Sequence, residues 1–350
     1  MKVLLTGGAG YIGSILAGEL VGKGHSVKIH DKLYFGDESL NTLKKRIEIL
    51  QGDIRNFNKS LLDGVNAVIH LAGLSNDPTA DFHPKANMEM NRDATKILAN
   101  ACIEKGINRF IYASSASIYD KGLRAAEQLQ NEETPVEPIA AYSVSKYGGE
   151  LVLLELMKNN PKFCPVILRQ GTVYGWSPRM RYDLVVNTFV KNAFTNGRLK
   201  VFCGGNQWRP LVNVIDVARA HVACLDAPEE KVRGEVFNVS YGNFQVMDVA
   251  HRVKRALKDI KELEVDVDYE AGRIDRSYKI DNKKFEQRLD FRYSVSIEEA
   301  ARDIALRIKS FLDSSGKLID LEKPIHYNIN WMTHLVDMEN KLKQMGGSVF

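Results

Sequence analysis

The first thirty residues alternate between two hydrophobic rhythms. Lys2–Thr6 is a short, nearly continuous apolar run, and Ile12–Gly22 carries apolar positions at three- and four-residue spacing. The first predicts a buried strand and the second a helix, because side chains repeat every two residues along a strand and every 3.6 along a helix. Further apolar runs follow at Ser26–His30, Ile47–Gln51, Ala67–Ala72, Phe110–Ser114 and Pro165–Arg169. Helical stretches lie between them at Ala86–Lys105, with Met90, Ala94, Ile97, Leu98 and Ala101 on one face, and at Tyr142–Met157. Buried strands separated by helices predict an α/β protein built on a doubly wound parallel sheet, covered on both faces.

The rhythm changes after about Tyr174. Arg181–Phe194, Asp216–Leu225, Met247–Leu257 and Ser296–Leu312 read as helices and Glu235–Val239 as a strand, in shorter and less regular order. This predicts a first domain over residues 1–174, a smaller mixed α/β substrate lobe over 175–312, and a C-terminal appendage over 313–350. Segments at about 211–240 are expected to return to the first sheet. The tail from Ile319 to Phe350 is amphipathic and is expected to be helical.

Composition narrows the field. The chain has 350 residues, 44% apolar and 26% charged, enough for a real core. No apolar run is long enough to span a membrane, so no membrane partner is expected. The initiating methionine leads directly into a strand with no leader pattern, and a cytoplasmic location is the expectation. The four cysteines, Cys102, Cys164, Cys203 and Cys224, are far apart, and the eight histidines are scattered. No metal site is expected. The net charge of +4 comes without a basic block, so nucleic acid is not an expected partner.

The stretch TGGAGYIG, Thr6–Gly13, gives the first chemistry. It sits between a predicted strand and a predicted helix, the context in which such a loop has a mechanism. Gly7 allows a tight turn, Gly10 lets the backbone approach a pyrophosphate, and Gly13 lets helix and strand pack closely. The helix N-terminus then offers free N–H groups and partial positive charge to phosphates. Gly7, Gly10, Tyr11, Ile12 and Gly13 are the candidate cofactor residues here. Asp31 ends the second strand, where a carboxylate accepts both ribose hydroxyls of NAD and repels a 2′-phosphate. Lys32 works in the opposite direction, and the balance favours NAD. Asp53 and Ile54 end the next strand as candidate adenine contacts, and Leu71, Ala72 and Gly73 end the fourth with small residues that leave room for the cofactor.

Tyr142-Ser-Val-Ser-Lys146 places a phenol and an ammonium four residues apart on one helix face. A phenol titrates near 10 and is a poor base at neutral pH, whereas a nearby cation stabilises the phenolate. On an isolated helix such a pair is commonplace. Here it follows a dinucleotide motif and a serine cluster, Ser114-Ser115-Ala116-Ser117, at the carboxyl end of a strand. Ligands of open α/β sheets bind off those ends, and a serine hydroxyl there can share a hydrogen bond with a substrate oxygen.

TGGAGYIG, SSASIY and YSVSK, in this order and spacing, resemble the extended short-chain dehydrogenase/reductase family of NAD-dependent nucleotide-sugar epimerases and dehydratases, over roughly residues 1–312. The resemblance implies a Rossmann fold, NAD as cofactor, a nucleotide-diphosphate sugar as substrate, and a homodimer formed through the helices at about 86–105 and 142–157. It implies Tyr142 as acid and base, Lys146 as its partner and ribose ligand, and Ser115 as the aligned catalytic hydroxyl. The similar 4,6-dehydratases carry Thr-Asp-Glu where this chain has Ser115-Ala116-Ser117, and similar decarboxylases carry a Glu at Ser117. These differences disfavour dehydration and weaken decarboxylation, and they leave oxidation of a ring hydroxyl, which needs only the tyrosine, lysine, serine and NAD.

The resemblance continues beyond residue 169. Arg169-Gln-Gly-Thr-Val-Tyr-Gly175 is similar to the family's Arg-x-x-Asn-Val-Tyr-Gly, with Thr172 in place of Asn. Ser177-Pro-Arg-Met-Arg181 through Asn187 resembles a subgroup that oxidises C4 of nucleotide-linked sugars for surface polysaccharides. By this resemblance Asn187 stands near the substrate diphosphate. Arg179 and Arg181 either reach phosphate or sugar or form exposed salt bridges. Arg209, in a Gly-x-Gln-x-Arg-like stretch, and Arg276, in Arg273-Ile-Asp-Arg276, resemble a pair of diphosphate-binding arginines. The implied substrate residues are thus Ser115, Ser117, Thr172, Arg179, Asn187, Arg209 and Arg276. The expected activity is a nucleotide-sugar 4-epimerase. A 4-dehydrogenase or 4-ketoreductase uses the same residues. A non-catalytic dinucleotide sensor is the remaining class, and the retained Tyr142–Lys146 pair argues against it.

Overall fold

The computed structural model describes residues 1–120, 128–260, 264–268, 276–310 and 321–347. In chain order the first half contains β1 (Lys2–Thr6), α1 (Tyr11–Gly22), β2 (Ser26–Asp31), β3 (Ile47–Gln51), β4 (Ala67–His70), α2 (Asp77–Phe82), α3 (Pro84–Met88), α4 (Ala94–Glu104), β5 (Arg109–Ser115), β6 (Leu129–Gln130), α5 (Ala141–Asn159) and β7 (Cys164–Gln170). The second half contains β8 (Thr172–Tyr174), α6 (Val185–Thr195), β9 (Arg198–Phe202), β10 (Trp208–Asn213), α7 (Val214–Asp226), α8 (Glu229–Val232), β11 (Val236–Val239), β12 (Gly242–Gln245), α9 (Val246–Leu257), β13 (Glu264–Asp268), β14 (Lys279–Ile280), α10 (Lys283–Leu289), α11 (Ile297–Ser310) and α12 (Asn328–Gln344).

Seven strands form one parallel sheet in the order β3-β2-β1-β4-β5-β7-β11. The continuous apolar run of β1 follows from its central place. Val3 and Leu5 pack on one face with Leu16, Leu20 and Val217 of α1 and α7. Leu4 packs on the other with Leu98 and Leu153 of α4 and α5. All three β1 residues are fully buried, so neither face tolerates a polar position. After residue 211 the chain returns to this sheet, with α7 packing on α1 and β11 pairing with β7. The strand order reverses between β1 and β4, which opens a crevice at their carboxyl ends. This is a Rossmann-type doubly wound fold.

The smaller lobe has a three-stranded sheet, β12-β10-β8, and a core in which α6, α9 and α11 pack together. Leu321, from the C-terminal segment, is buried in the same core. No helix among the described residues is long and apolar enough to cross a membrane.

Several boundaries depart from the hydrophobic pattern for local reasons. The helix expected over 86–105 is three pieces: α3, a π-helical turn over Glu89–Asp93, and α4. The strand expected over Ala67–Ala72 ends at His70, and Gly73, at φ +153°, turns the chain toward the crevice. The helix expected from Arg181 starts at Val185. Arg181 is tied to Asp183 at 2.8 Å, and its carbonyl accepts from Asn187, so residues 181–184 form a loop. Residues 311–312 of the last expected helix, residues 313–320 and 348–350 of the appendage, and Arg273 lie outside the described residues.

Candidate functional site

The carboxyl ends of β1, β2, β4 and β5 face the smaller lobe across a cleft of about 750 Å³. Its volume lies in the range of small-molecule sites. One end is built from the glycine loop. Gly7 has φ +75°, and a Cβ there would lie 2.7 Å from the Ala72 backbone nitrogen. A Cβ on Gly13 would collide with the Gly7 carbonyl. Helix α1 starts at Tyr11 with no acidic residue in its own first turn, and its positive end faces the cleft.

Asp31 lines the same end and accepts the Ala9 and Leu33 backbone N–H groups at 2.9 and 2.8 Å. Burial pushes its carboxyl above the ordinary value, and the two backbone donors oppose this. Ile54, Leu71, Ala72 and Gly73 also line the cleft. Asp53 does not. Its carboxylate grips the Arg55 guanidinium at 2.6 Å and Lys32 at 3.3 Å, and the Arg55 hydrogen bond holds it well below the usual carboxylate range. This pairing also engages Lys32, the cation that would favour a 2′-phosphate. A side-chain-free cradle at a helix N-terminus, with a carboxylate eighteen residues beyond Gly13, fits NAD.

Further along the cleft, Tyr142 stands on the first turn of α5 and Ser115 ends β5, and both side chains line it. Ser115 Oγ lies 2.9 Å from Ser117 Oγ, which in turn accepts from Ser143 Oγ at 3.1 Å. Burial pushes the Tyr142 phenol above its ordinary value; Ser115 and Arg181 oppose this, and Asp77 reinforces it. Lys146 is buried, donates to the Ala113 carbonyl at 2.9 Å and lies 5.1 Å above the Tyr112 ring. Burial lowers it to about 8, against the pull of Glu150. Glu150 itself is clamped by Arg169 at 2.7 Å and by Ser114. That fixes Arg169 beneath the site.

Thr172, Ser117, Arg209 and Arg276 line the far end. Arg209 donates to the carbonyls of Trp208 and Arg276. Arg276 is forked onto Asp77 and holds Asp120 through Nε at 2.9 Å. Arg179 and Arg181 also line the cleft, each with partners of its own. Arg179 is at the cofactor end: it stacks on Phe35 at 3.6 Å, feels the Asp31 charge, and donates to Asn328 Oδ1 at 2.6 Å. Arg181 lines the cleft but is paired with Asp183. Asn187 does not line the cleft. Its amide accepts from Gly175 N and donates to Tyr11 Oη, Gly175 O and Arg181 O, so it braces the loop behind the site.

Sequence reasoning missed Asn91, Asp77, Gln207, Tyr278 and Asn328. All but Asn91 line the cleft. Asn91 projects from the π-helical turn. Its Nδ2 donates to Leu74 O, Asn87 Oδ1 and Ser145 Oγ, whereas its Oδ1 has no partner among the described residues and would meet a Cβ placed on Gly73. Asn87, Asn91 and Thr95, buried polar residues four apart beside an apolar stripe, are the available signal. Asn328 lies 149 positions from Arg179, and no local pattern announces it.

Residues 3–240 match the profile of the NAD dependent epimerase/dehydratase family. The chain belongs to this family. Among curated relatives it is 33% identical, over 253 residues, to the uncharacterized UDP-glucose epimerase YtcB of Bacillus subtilis, covering 68% of this chain and 76% of that one. It is 29% identical to the UDP-N-acetyl-alpha-D-glucosaminuronate decarboxylase of Bacillus cytotoxicus, over 86% of this chain and 96% of the other. Among solved structures it is similar to UDP-glucuronic acid 4-epimerase from Bacillus cereus in complex with UDP-glucuronic acid and NAD, with a TM-score of 0.74 and 25% identity, over 88% of this chain and 99% of the other. The family is one of NAD-dependent enzymes, and NAD is the cofactor that this epimerase/dehydratase cleft fits.

Proposed function

We propose that this protein is a nucleotide-sugar 4-epimerase, oxidising the sugar C4 hydroxyl to a transient ketone and reducing it from the opposite face. The observation that carries this reading is that Ser115, Tyr142 and, one helical turn on, Lys146 line one stretch of the cleft whose other end fits NAD. The relatives named for UDP sugars favour uridine as the base.

In this reading Ser115 shares a hydrogen bond with the C4 hydroxyl, and Tyr142 takes its proton and later returns it. Bound NAD supplies a reversible hydride acceptor. Lys146 keeps its charge beside the backbone carbonyl at the end of β5 and favours the phenolate. Elimination across C5–C6 needs a carboxylic acid and a carboxylate base. Ser115-Ala116-Ser117 offers neither, which supports epimerisation over dehydration.

The reading divides the chain into a cofactor domain over 1–174, a substrate lobe over 175–312 that lends about 211–240 to the large sheet, and an appendage over 313–350. It makes the protein a homodimer. Support comes from Ile97 on α4 and from Val144 and Leu151 on α5, which remain exposed on two helices that pack side by side. It assigns the protein to the cytoplasm, where NAD and nucleotide sugars are held, and its product to polysaccharide synthesis.

Incubation with UDP-, GDP-, CDP- and dTDP-sugars, followed by NMR of the product and NADH absorbance, tests the proposal. A new C4 epimer without net NADH is expected. Stoichiometric NADH would make the enzyme a dehydrogenase, and no turnover of any sugar would favour a sensor.

A further inference from the structure

The loops that leave β2, β4 and β8 all border the cofactor end of the cleft, and one C-terminal segment is bonded to all three. Trp331 Nε1 donates to the Tyr34 carbonyl after β2. Asn328 Nδ2 donates to Ser75 Oγ after β4, at 2.8 Å. Beyond β8, the Asn328 backbone N–H donates to Asp183 at 3.2 Å and its Oδ1 accepts from Arg179 at 2.6 Å. Asn328 and Ile329 themselves line the cleft.

The segment is anchored at its other end in the smaller lobe. Leu321 is buried there, Glu322 pairs with Lys191 at 2.6 Å, and the His326 carbonyl accepts from Tyr182 at 3.0 Å. Residues 321–331 thus run from the lobe core to the loop after β2, across the cleft.

Arg179 shows what this crossing does. Its side chain is buried, and its Nε has no partner among the described residues. Burial lowers its pKa to about 9, and the like charge of Arg181 adds to this. Its direct contacts are a neutral amide and an aromatic face. Asp183 and Asp31 act on it only at a distance, no carboxylate among the described residues is paired with it directly, and a planar fork with an unpartnered N–H suits phosphate oxygens. Asp31, which marks the adenosine-ribose end, is close enough to influence it.

We propose that residues 321–331 form a strap over the dinucleotide, and that Asn328 is a positioning residue that holds Arg179 toward the cofactor's diphosphate. This deepens the epimerase reading and rests on it. An epimerase regains its cofactor oxidation state in every cycle and has no need to exchange it. Escape of the dinucleotide requires the strap to part from the loops at Tyr34, Ser75 and Arg179.

The test is the NAD dissociation rate of the full chain, read by displacement with a fluorescent NAD analogue, for wild type, Asn328→Ala and Trp331→Phe. The second variant removes the N–H bonded to Tyr34 and keeps an aromatic, though smaller, ring beside His334. Dissociation about tenfold faster in Asn328→Ala and severalfold faster in Trp331→Phe is expected, with KM for the nucleotide sugar at saturating NAD unchanged within about twofold. If Asn328→Ala does not fold, Trp331→Phe alone carries the reading. Equal dissociation from wild type and the folded variants overturns the strap alone. Wild-type protein that takes up no NAD overturns the functional reading with it.

Discussion

Asp77 holds both terminal nitrogens of Arg276, so the arginine expected at the substrate diphosphate already carries a carboxylate in that position. Asp120 takes its Nε. A diphosphate that reaches Arg276 therefore competes with Asp77. Asp77→Asn should lower KM for the nucleotide sugar by about threefold to tenfold with little change in kcat. Arg276→Ala should raise KM by about tenfold or more. Steady-state kinetics check both, and a higher KM in Asp77→Asn would mean that Asp77 orients Arg276 instead of competing for it.

Gly7→Ala should empty the cofactor site. The residue is at φ +75° and its Cβ would press on the Ala72 nitrogen. Bound NAD per chain after gel filtration should fall at least about tenfold. Gly18→Ala is the control, since nothing lies within 4 Å of its Cβ. It should bind NAD normally and gain up to about 1 kcal/mol of stability.

Glu150→Ala should destabilise the fold by roughly 3–5 kcal/mol, because it leaves the buried Arg169 guanidinium without its charge partner. Urea denaturation measures this. Adding Arg169→Met should recover part of the loss, and no recovery would assign the effect to packing.

Lys146 gives a pH signature. Burial lowers it to about 8 in the folded protein, against about 10.4 in an unfolded chain. Between these values the unfolded chain binds the proton more tightly. Folding stability from this group therefore rises as pH climbs from about 8 to about 10.4, and is lost as pH falls back through about 8. Relative to Lys146→Met, wild type should gain up to roughly 3 kcal/mol over that window. Urea melts at either end check it, and a constant difference contradicts it.

Much of this architecture was legible along the chain where local pattern and fold agree. The run Val3-Leu4-Leu5 predicts a doubly covered strand because both of its faces are buried. The glycine loop, Asp31, Ser115, Tyr142 and Lys146 meet in one cleft because each sits at a strand end or helix start that local signals mark. Where other groups engage a candidate side chain, the cause is a common one. Asp53 has the right position for a cofactor contact, but Arg55, two residues on, claims its carboxylate. Asn187 and Arg179 were assigned by resemblance to the substrate, and Tyr11 and Asn328, far away in sequence, decide where their side chains go. The strap depends on Trp331 meeting Tyr34 across 297 positions, which no periodicity encodes.

The central claim is tested most directly with a nucleotide sugar carrying deuterium at C4, assayed with wild type and Tyr142→Phe. Wild type should give both C4 epimers with the deuterium retained at C4, and Tyr142→Phe should lose about a thousandfold or more in kcat. Deuterium lost to solvent, or Tyr142→Phe turning over at the wild-type rate, would contradict oxidation and return of hydride at this site.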